Sequence, residues 1–114
     1  MKKKIVYVAS RVRGNLQQNL SHAKVYCKFA ISQGVVPIVP HLMYDGTLDD
    51  DIPEERETGM KLGIELLKQC DELWAFCDEE GPSEGMKQEI AIAEELNIPV
   101  RYFGKDQLCT DVMD

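Results

Sequence analysis

The chain has 114 residues, a length that suits one domain, residues 1–114, able to bury a core without staples. Twenty acidic against thirteen basic side chains give a formal charge of −7, which argues against nucleic acid as a partner, because such binders present a basic face. No apolar run approaches membrane-spanning length, and the basic start Lys2-Lys3-Lys4 leads straight into a strand pattern without a signal peptide's apolar region, so no membrane partner is expected.

Ile5-Val-Tyr-Val-Ala9 is a short continuous apolar run of the kind found in strands covered on both faces. A polar turn, Ser10-Arg-Val-Arg-Gly14, follows it. Leu16, Leu20, Ala23, Cys27, Ala30 and Ile31 then recur at helical spacing, with Asn15 as a cap and Gly34 as the stop. Val35-Val-Pro-Ile-Val39 reads as a second strand, at a sheet edge because Pro37 cannot donate to a ladder. Pro40-His41 follows directly, and Leu42 to Ile52 is a looser stretch with a turn at Asp45-Gly46. Pro53 opens a helix predicted to reach about Gln69, with Met60, Gly63, Ile64, Leu67 and Cys70 facing inward. Glu72 to Cys77 is the third strand, and a helix capped by Ser83 ends near Asn97. Ile98-Pro-Val-Arg-Tyr102 is the fourth strand. Phe103 to Asp114 reads equally as a short helix or a tail.

Strands alternating with helices imply an α/β fold with a parallel sheet and right-handed crossovers. The expected architecture is a flavodoxin- or Rossmann-like three-layer sandwich of four, or five, strands in the order 2-1-3-4. Ligands in such folds bind beyond the carboxyl ends of the strands, where the order reverses. That edge collects Ser10 to Gly14, His41, Asp78, Glu79 and the segment Ser83 to Glu89. Asp71 enters the third strand from the opposite edge and reads as structural.

Within Gly81-Pro-Ser-Glu-Gly-Met-Lys-Gln-Glu89, Ser83 caps a helix and Gly85 permits close approach to the backbone, which together make an anion site. Glu89 falls inside the apolar arc of Met86, Ile90, Ala93 and Leu96. A carboxylate on the buried side of a helix needs a partner or a wet cleft. It is either a structural group that snorkels or pairs with a buried Arg, or a catalytic carboxylate beside a phosphate cradle. Arg13 suits bidentate recognition of a phosphate, with Arg11 as a competitor. His41 serves as a base, a donor or a satisfied structural side chain. Asp78 is the best-placed local acid. Tyr44 stacks on a base or lies on its own surface, whereas Trp74 and Tyr7 read as core. The run Asp49-Asp50-Asp51 reads as charge at a helix's positive end rather than as a metal site. Four cysteines without CxxC spacing read as reduced thiols, which points to the cytoplasm, and no metal or cofactor is expected. Dinucleotide, Walker A and GxSxG patterns are absent.

Ser83-x-Gly85-x-x-x-Glu89-x-x-x-Ala93, followed by Ile98-Pro99-Val100, resembles the nucleoside 2-deoxyribosyltransferase-like family, which includes 2′-deoxynucleoside 5′-monophosphate N-glycosidases. Tyr7-Val-Ala-Ser-Arg-Val-Arg-Gly14, Pro40-His-Leu42 and Cys70-Asp-Glu-Leu-Trp74 are similar to segments of a small branch of that group, so the resemblance spans nearly the full length. It implies a nucleoside or nucleotide substrate, with Glu89 as nucleophile on the anomeric carbon and retention of configuration. It implies that Ser10, Arg13, Ser83 and Gly85 hold a 5′-phosphate or 5′-hydroxyl, with Gly14, His41 and Met86 also at the substrate, and that the protein is a homodimer. The family's second carboxylate falls near Gly63, Lys87 replaces a glycine of the turn, and Val12 stands where the branch has Tyr. A leaving base therefore lacks an obvious acid, with Asp78, or Asp50 or Asp51 folded over, to supply one. The alternative is a nucleotide-binding or sensing module of the same fold without turnover.

Overall fold

A computed structural model describes residues 2–11 and 16–104. Strand β1 (Ile5–Ala9) is followed by α1 (Leu16–Ser32), β2 (Val36–Ile38), α2 (Pro40–Met43), α3 (Pro53–Leu67), β3 (Glu72–Phe76), α4 (Glu84–Glu95) and β4 (Val100–Phe103). The four strands form one sheet in the order β2-β1-β3-β4, and every pairing is parallel. This is the expected Rossmann-like arrangement, with β2 and its Pro37 at one edge.

The strand period of two sorts the central strands into two cores. Val6, Val8, Trp74 and Phe76 point to one face, where they meet Ala23, Phe29 and Ala30 of α1. Rings dominate that layer: Tyr26 stacks on Phe76 at 4.5 Å between centroids, and Trp74 lies 4.8 Å from Phe103. Tyr7, Ala9, Leu73 and Ala75 point to the other face, against Leu67 after Gly63 on α3 and Met86, Ile90 and Ala93 on α4. Helix α1 stops as expected, at Gly34, whose φ of +82° ends the helix in the left-handed region that glycine tolerates.

Several boundaries differ from the reading of the sequence: β2 is a residue shorter at each end, β3 stops at Phe76 and α3 at Leu67. His41 lies in a four-residue helix opened by Pro40, too short to show a periodicity. Strand β4 starts at Val100 rather than Ile98, because the Ile98 N–H is spent closing α4 onto the Ala93 carbonyl. It runs on to Phe103, which is buried as the last residue of the strand. Residues 105–114, with Cys109, lie outside the described residues, as do Asn15 and Val12.

Among the described residues two carboxylates are buried, and they are treated oppositely. Glu72, at the amino end of β3, accepts from Lys4 Nζ at 2.6 Å and Trp74 Nε1 at 2.8 Å. Burial pushes its pKa up, but those bonds together hold it below the usual carboxylate value. Asp71 beside it accepts the Ile5 N–H at 2.8 Å, a structural tie at the edge away from the ligand side. Glu89, at the other end of the sheet, has no cation near it that forms an ion pair among the described residues.

Candidate functional site

Helix α4 begins where Ser83 Oγ accepts the Met86 N–H at 3.3 Å, one of the donors a helix start leaves unsatisfied. Two turns in, the 3.6-residue period carries Glu89 to the buried side with Met86, Ile90 and Ala93. Glu89 is only 7% exposed, and its described side-chain partner is the hydroxyl of Tyr7, which donates to Glu89 Oε2. Burial lifts the Glu89 carboxyl from 4.5 to about 7, and the Tyr7 bond pulls the other way. Burial, reinforced by the neighbouring Glu89 carboxylate, pushes the Tyr7 phenol far above its ordinary value, so Tyr7 remains a proton donor in the hydrogen bond.

A glycine makes this pair fit. A Cβ at Gly63 of α3 would sit 2.9 Å from the Tyr7 hydroxyl, closer than such contacts tolerate. Gly63→Ala gains up to ~1 kcal/mol of helix propensity, yet it drives the phenol off Glu89, where a hydrogen bond to a charged group is worth roughly 1.5–3 kcal/mol. The expected outcome at pH 8 is a net loss of about 1 kcal/mol in a denaturant titration, together with an upward move of the Glu89 carboxyl in an NMR titration.

The carboxylate opens on a cleft of about 1570 Å³ at the carboxyl ends of β1 and β2 and the start of α4. Ser10, His41, Ser83, Gly85, Met86 and Glu89, all singled out in the sequence, line it together. Ser10 is 2% exposed and its Oγ has no hydrogen-bond partner among the described residues, so a buried hydroxyl is left for something in the cleft. The Ser10 carbonyl accepts from His41 Nε2 at 2.7 Å. A carbonyl cannot donate, so Nε2 carries the proton and Nδ1 of the neutral ring holds a lone pair. Burial lowers the His41 pKa, against weaker upward pushes from the Ser10 bond and from Asp50.

Arg13 and Gly14 lie outside the described residues. Arg11 does occupy the end of β1, but its guanidinium is committed. Its Nε meets Asp78 Oδ2 at 3.0 Å, and its Nη2 donates to the Gly81 carbonyl at 3.3 Å and lies 3.5 Å from Glu80. Asp78 therefore belongs to a clamp that ties β1 to the turn before α4, and it is not among the residues lining the cleft. Among the described residues, no group of three or more His, Cys, Asp or Glu side chains is arranged to hold a metal ion.

Tyr7 is the site residue that sequence reasoning placed in the core. The available signal was its polar tip: a phenol on a strand buried on both faces needs an acceptor, and Glu89 needed a donor. Tyr44 and Arg56 also line the cleft, and Tyr44 is near enough to Tyr7 to influence its ionisation electrostatically.

A family model described as "Domain of unknown function (DUF7768)" matches residues 4–103. No curated protein matches the chain in sequence. Among solved structures, the fold is shared with a 2-deoxyribosyltransferase from Bacillus psychrosaccharolyticus at a TM-score of 0.71 and 19% identity, covering 88% of this chain and 72% of that one. It is also shared with a 2-deoxyribosyltransferase from Leishmania mexicana at a TM-score of 0.64 and 17% identity, covering 89% of this chain and 64% of that one, so the chain spans less than two thirds of the latter. The fold is thus nucleoside 2-deoxyribosyltransferase-like, as the resemblance implied. No helix among the described residues is long and apolar enough to cross a membrane.

Proposed function

The chain belongs to the DUF7768 family, and from the transferase-like fold and the cleft we propose that it cleaves or transfers the N-glycosidic bond of a nucleoside or nucleoside 5′-monophosphate. One observation carries this reading: a buried carboxylate, Glu89, faces a cleft with a phenol rather than a cation as its described partner. Structural carboxylates in this chain are paired with cations or backbone donors, as Glu72 and Asp71 are. A carboxylate kept desolvated beside open space is a nucleophile in waiting.

Glu89 attacks the anomeric carbon and the base leaves from the opposite face of the sugar. Water or a second base then resolves the glycosyl-enzyme, with net retention. Tyr7 holds the attacking oxygen and disperses its charge. The unpartnered Ser10 hydroxyl and the amino end of α4 at Ser83 and Gly85 grip the part of the substrate away from the bond. The reading includes a cytoplasmic homodimer with Cys27, Cys70 and Cys77 as free thiols. Incubation with nucleosides and their 5′-monophosphates, carrying neutral and cationic bases, followed by chromatography for free base, tests it. Base release that disappears in Glu89→Ala is the expected result, and no release from any substrate rejects it.

The Arg11 clamp favours a second reading. With Asp78 held by a guanidinium outside the cleft lining, the first acid suggested for the leaving base is elsewhere engaged, which leaves Asp50 and Asp51 of the lining as the alternatives. A binding or sensing module would then show ligand-induced thermal stabilisation without product.

A further inference from the structure

The charge on the walls of the cleft bears on which substrate enters it. The loop between α2 and α3 contributes four aspartates, at 45, 49, 50 and 51, and α3 adds Glu55 and Glu57. Glu84 stands at the mouth beside the α4 start. Against these the described lining holds two guanidiniums, and Arg11 is spent on Asp78 and Glu80. Arg56 is the other, and Glu57 and Glu84 are themselves paired with Lys61 and Lys87, so the negative excess rests on the four aspartates and Glu55. Of the other donors near the start of α4, Ser83 Oγ is engaged on its own helix and Lys87 on Glu84 at 3.4 Å, while Arg13 lies outside the described residues. A phosphate entering here meets carboxylates in a recess where screening is weaker than in bulk water.

The protons of the cleft point the same way. A neutral nucleobase leaves far more readily when a ring nitrogen or carbonyl oxygen is protonated. The Tyr7 hydroxyl is committed to Glu89, and the His41 Nε2 proton to the Ser10 carbonyl. A base that already carries a positive charge needs no acid. Tyr44 also lines the cleft, and a cation over an aromatic face is attracted by its quadrupole.

Resting on the glycosyl-transfer reading above, we propose that the substrate is an unphosphorylated nucleoside whose base is cationic, a ring quaternised at the glycosidic nitrogen or elsewhere on the ring. The Glu89 oxygen bonds to C1′ as the C1′–N bond breaks, and that bond's electron pair neutralises the positive ring, which departs without taking up a proton. Water then adds at C1′ as the ester to Glu89 breaks, and its proton passes through a wall carboxylate to solvent. The acidic loop recognises the charge of the base. The orphaned Ser10 hydroxyl, buried and facing the same cleft, receives a sugar hydroxyl.

The test uses a permanently charged pyridinium nucleoside (nicotinamide riboside), its 5′-phosphate, and neutral inosine, with dissociation constants measured by calorimetry on the Glu89→Gln chain, which binds without turnover. The expected result is binding of the pyridinium nucleoside about ten-fold tighter than its 5′-phosphate or inosine. In a chain that also carries Asp50→Asn and Asp51→Asn, its affinity falls about ten-fold while that of inosine changes less than two-fold. Rising salt on the parent surface should weaken the pyridinium nucleoside alone, a readout that needs no wall substitution. Tighter binding of the phosphate, or equal binding of inosine, overturns the assignment. The glycosyl-transfer reading is read separately, from nicotinamide release by the unmodified chain. Binding without release would reject that chemistry and leave the charge selectivity standing. Release from inosine at equal kcat/KM would do the reverse.

Discussion

Glu89→Gln is expected to give a chain that is more stable than its parent at pH 8 and has lost glycosyl transfer by about 10³-fold or more, as removal of a covalent nucleophile does. The stability half follows from linkage. The Glu89 carboxyl titrates at about 7 in the folded chain, against 4.5 when unburied. Between those values the folded state holds a proton that the unfolded state has released, so stability falls as pH rises through the window. The full loss above it approaches roughly 3 kcal/mol at about 1.4 kcal/mol per pH unit. Glutamine keeps the shape, still accepts from Tyr7 and never ionises. Parent and variant should therefore melt together near pH 4, where both side chains are neutral, and separate by on the order of 10 °C at pH 8. A variant that melts lower than the parent at pH 8 would show that Glu89 is a structural anion, like Glu72 with its lysine.

Tyr7→Phe carries the second large effect, because it removes the described donor to Glu89 while leaving the ring in the Leu67, Leu73 and Met86 core. The lost hydrogen bond, worth roughly 1.5–3 kcal/mol to a charged group, raises the carboxyl further above 7, by about one to two units. The nucleophile is the ionised form, so the acid limb of kcat/KM against pH moves up by the same amount. Activity at pH 7 should fall about 5- to 50-fold and recover substantially by pH 9. Such recovery separates a positioning role from a packing role. A pH-independent loss would mean that the phenyl ring had shifted and taken the cleft with it.

The fold was legible because each element carries its own period. Buried β1 and β3 are continuous apolar runs, and α1, α3 and α4 repeat at helical spacing with Gly34, Pro53 and Ser83 as stops and starts. The burial of Glu89 was legible from the arc of Met86, Ile90 and Ala93, which α4 buries together, although Leu96 of that stripe ends up 42% exposed as the helix cap. What could not be read was the identity of its partner. Tyr7 and Glu89 are 82 residues apart, and local pattern does not say which strand residue a helix residue will face. Arg11 and Asp78, 67 residues apart, were similarly opaque, so the acid chosen from its position after β3 proved to be half of a clamp. The aspartates at 49–51 precede a helix, as expected, and also wall a cleft. A charge run shows which end of a helix it favours but not what stands opposite it in space.

The central claim is that Glu89 forms a covalent bond to the sugar. The direct measurement is intact-protein and peptide mass spectrometry after incubation with a 2-fluoro-substituted nucleoside, whose fluorine slows breakdown of the glycosyl-enzyme. The account predicts a single added fluoropentosyl group on the peptide containing Glu89, absent from the Glu89→Gln chain. Base release from an ordinary nucleoside with no adduct, or with the adduct on another carboxylate, would contradict it.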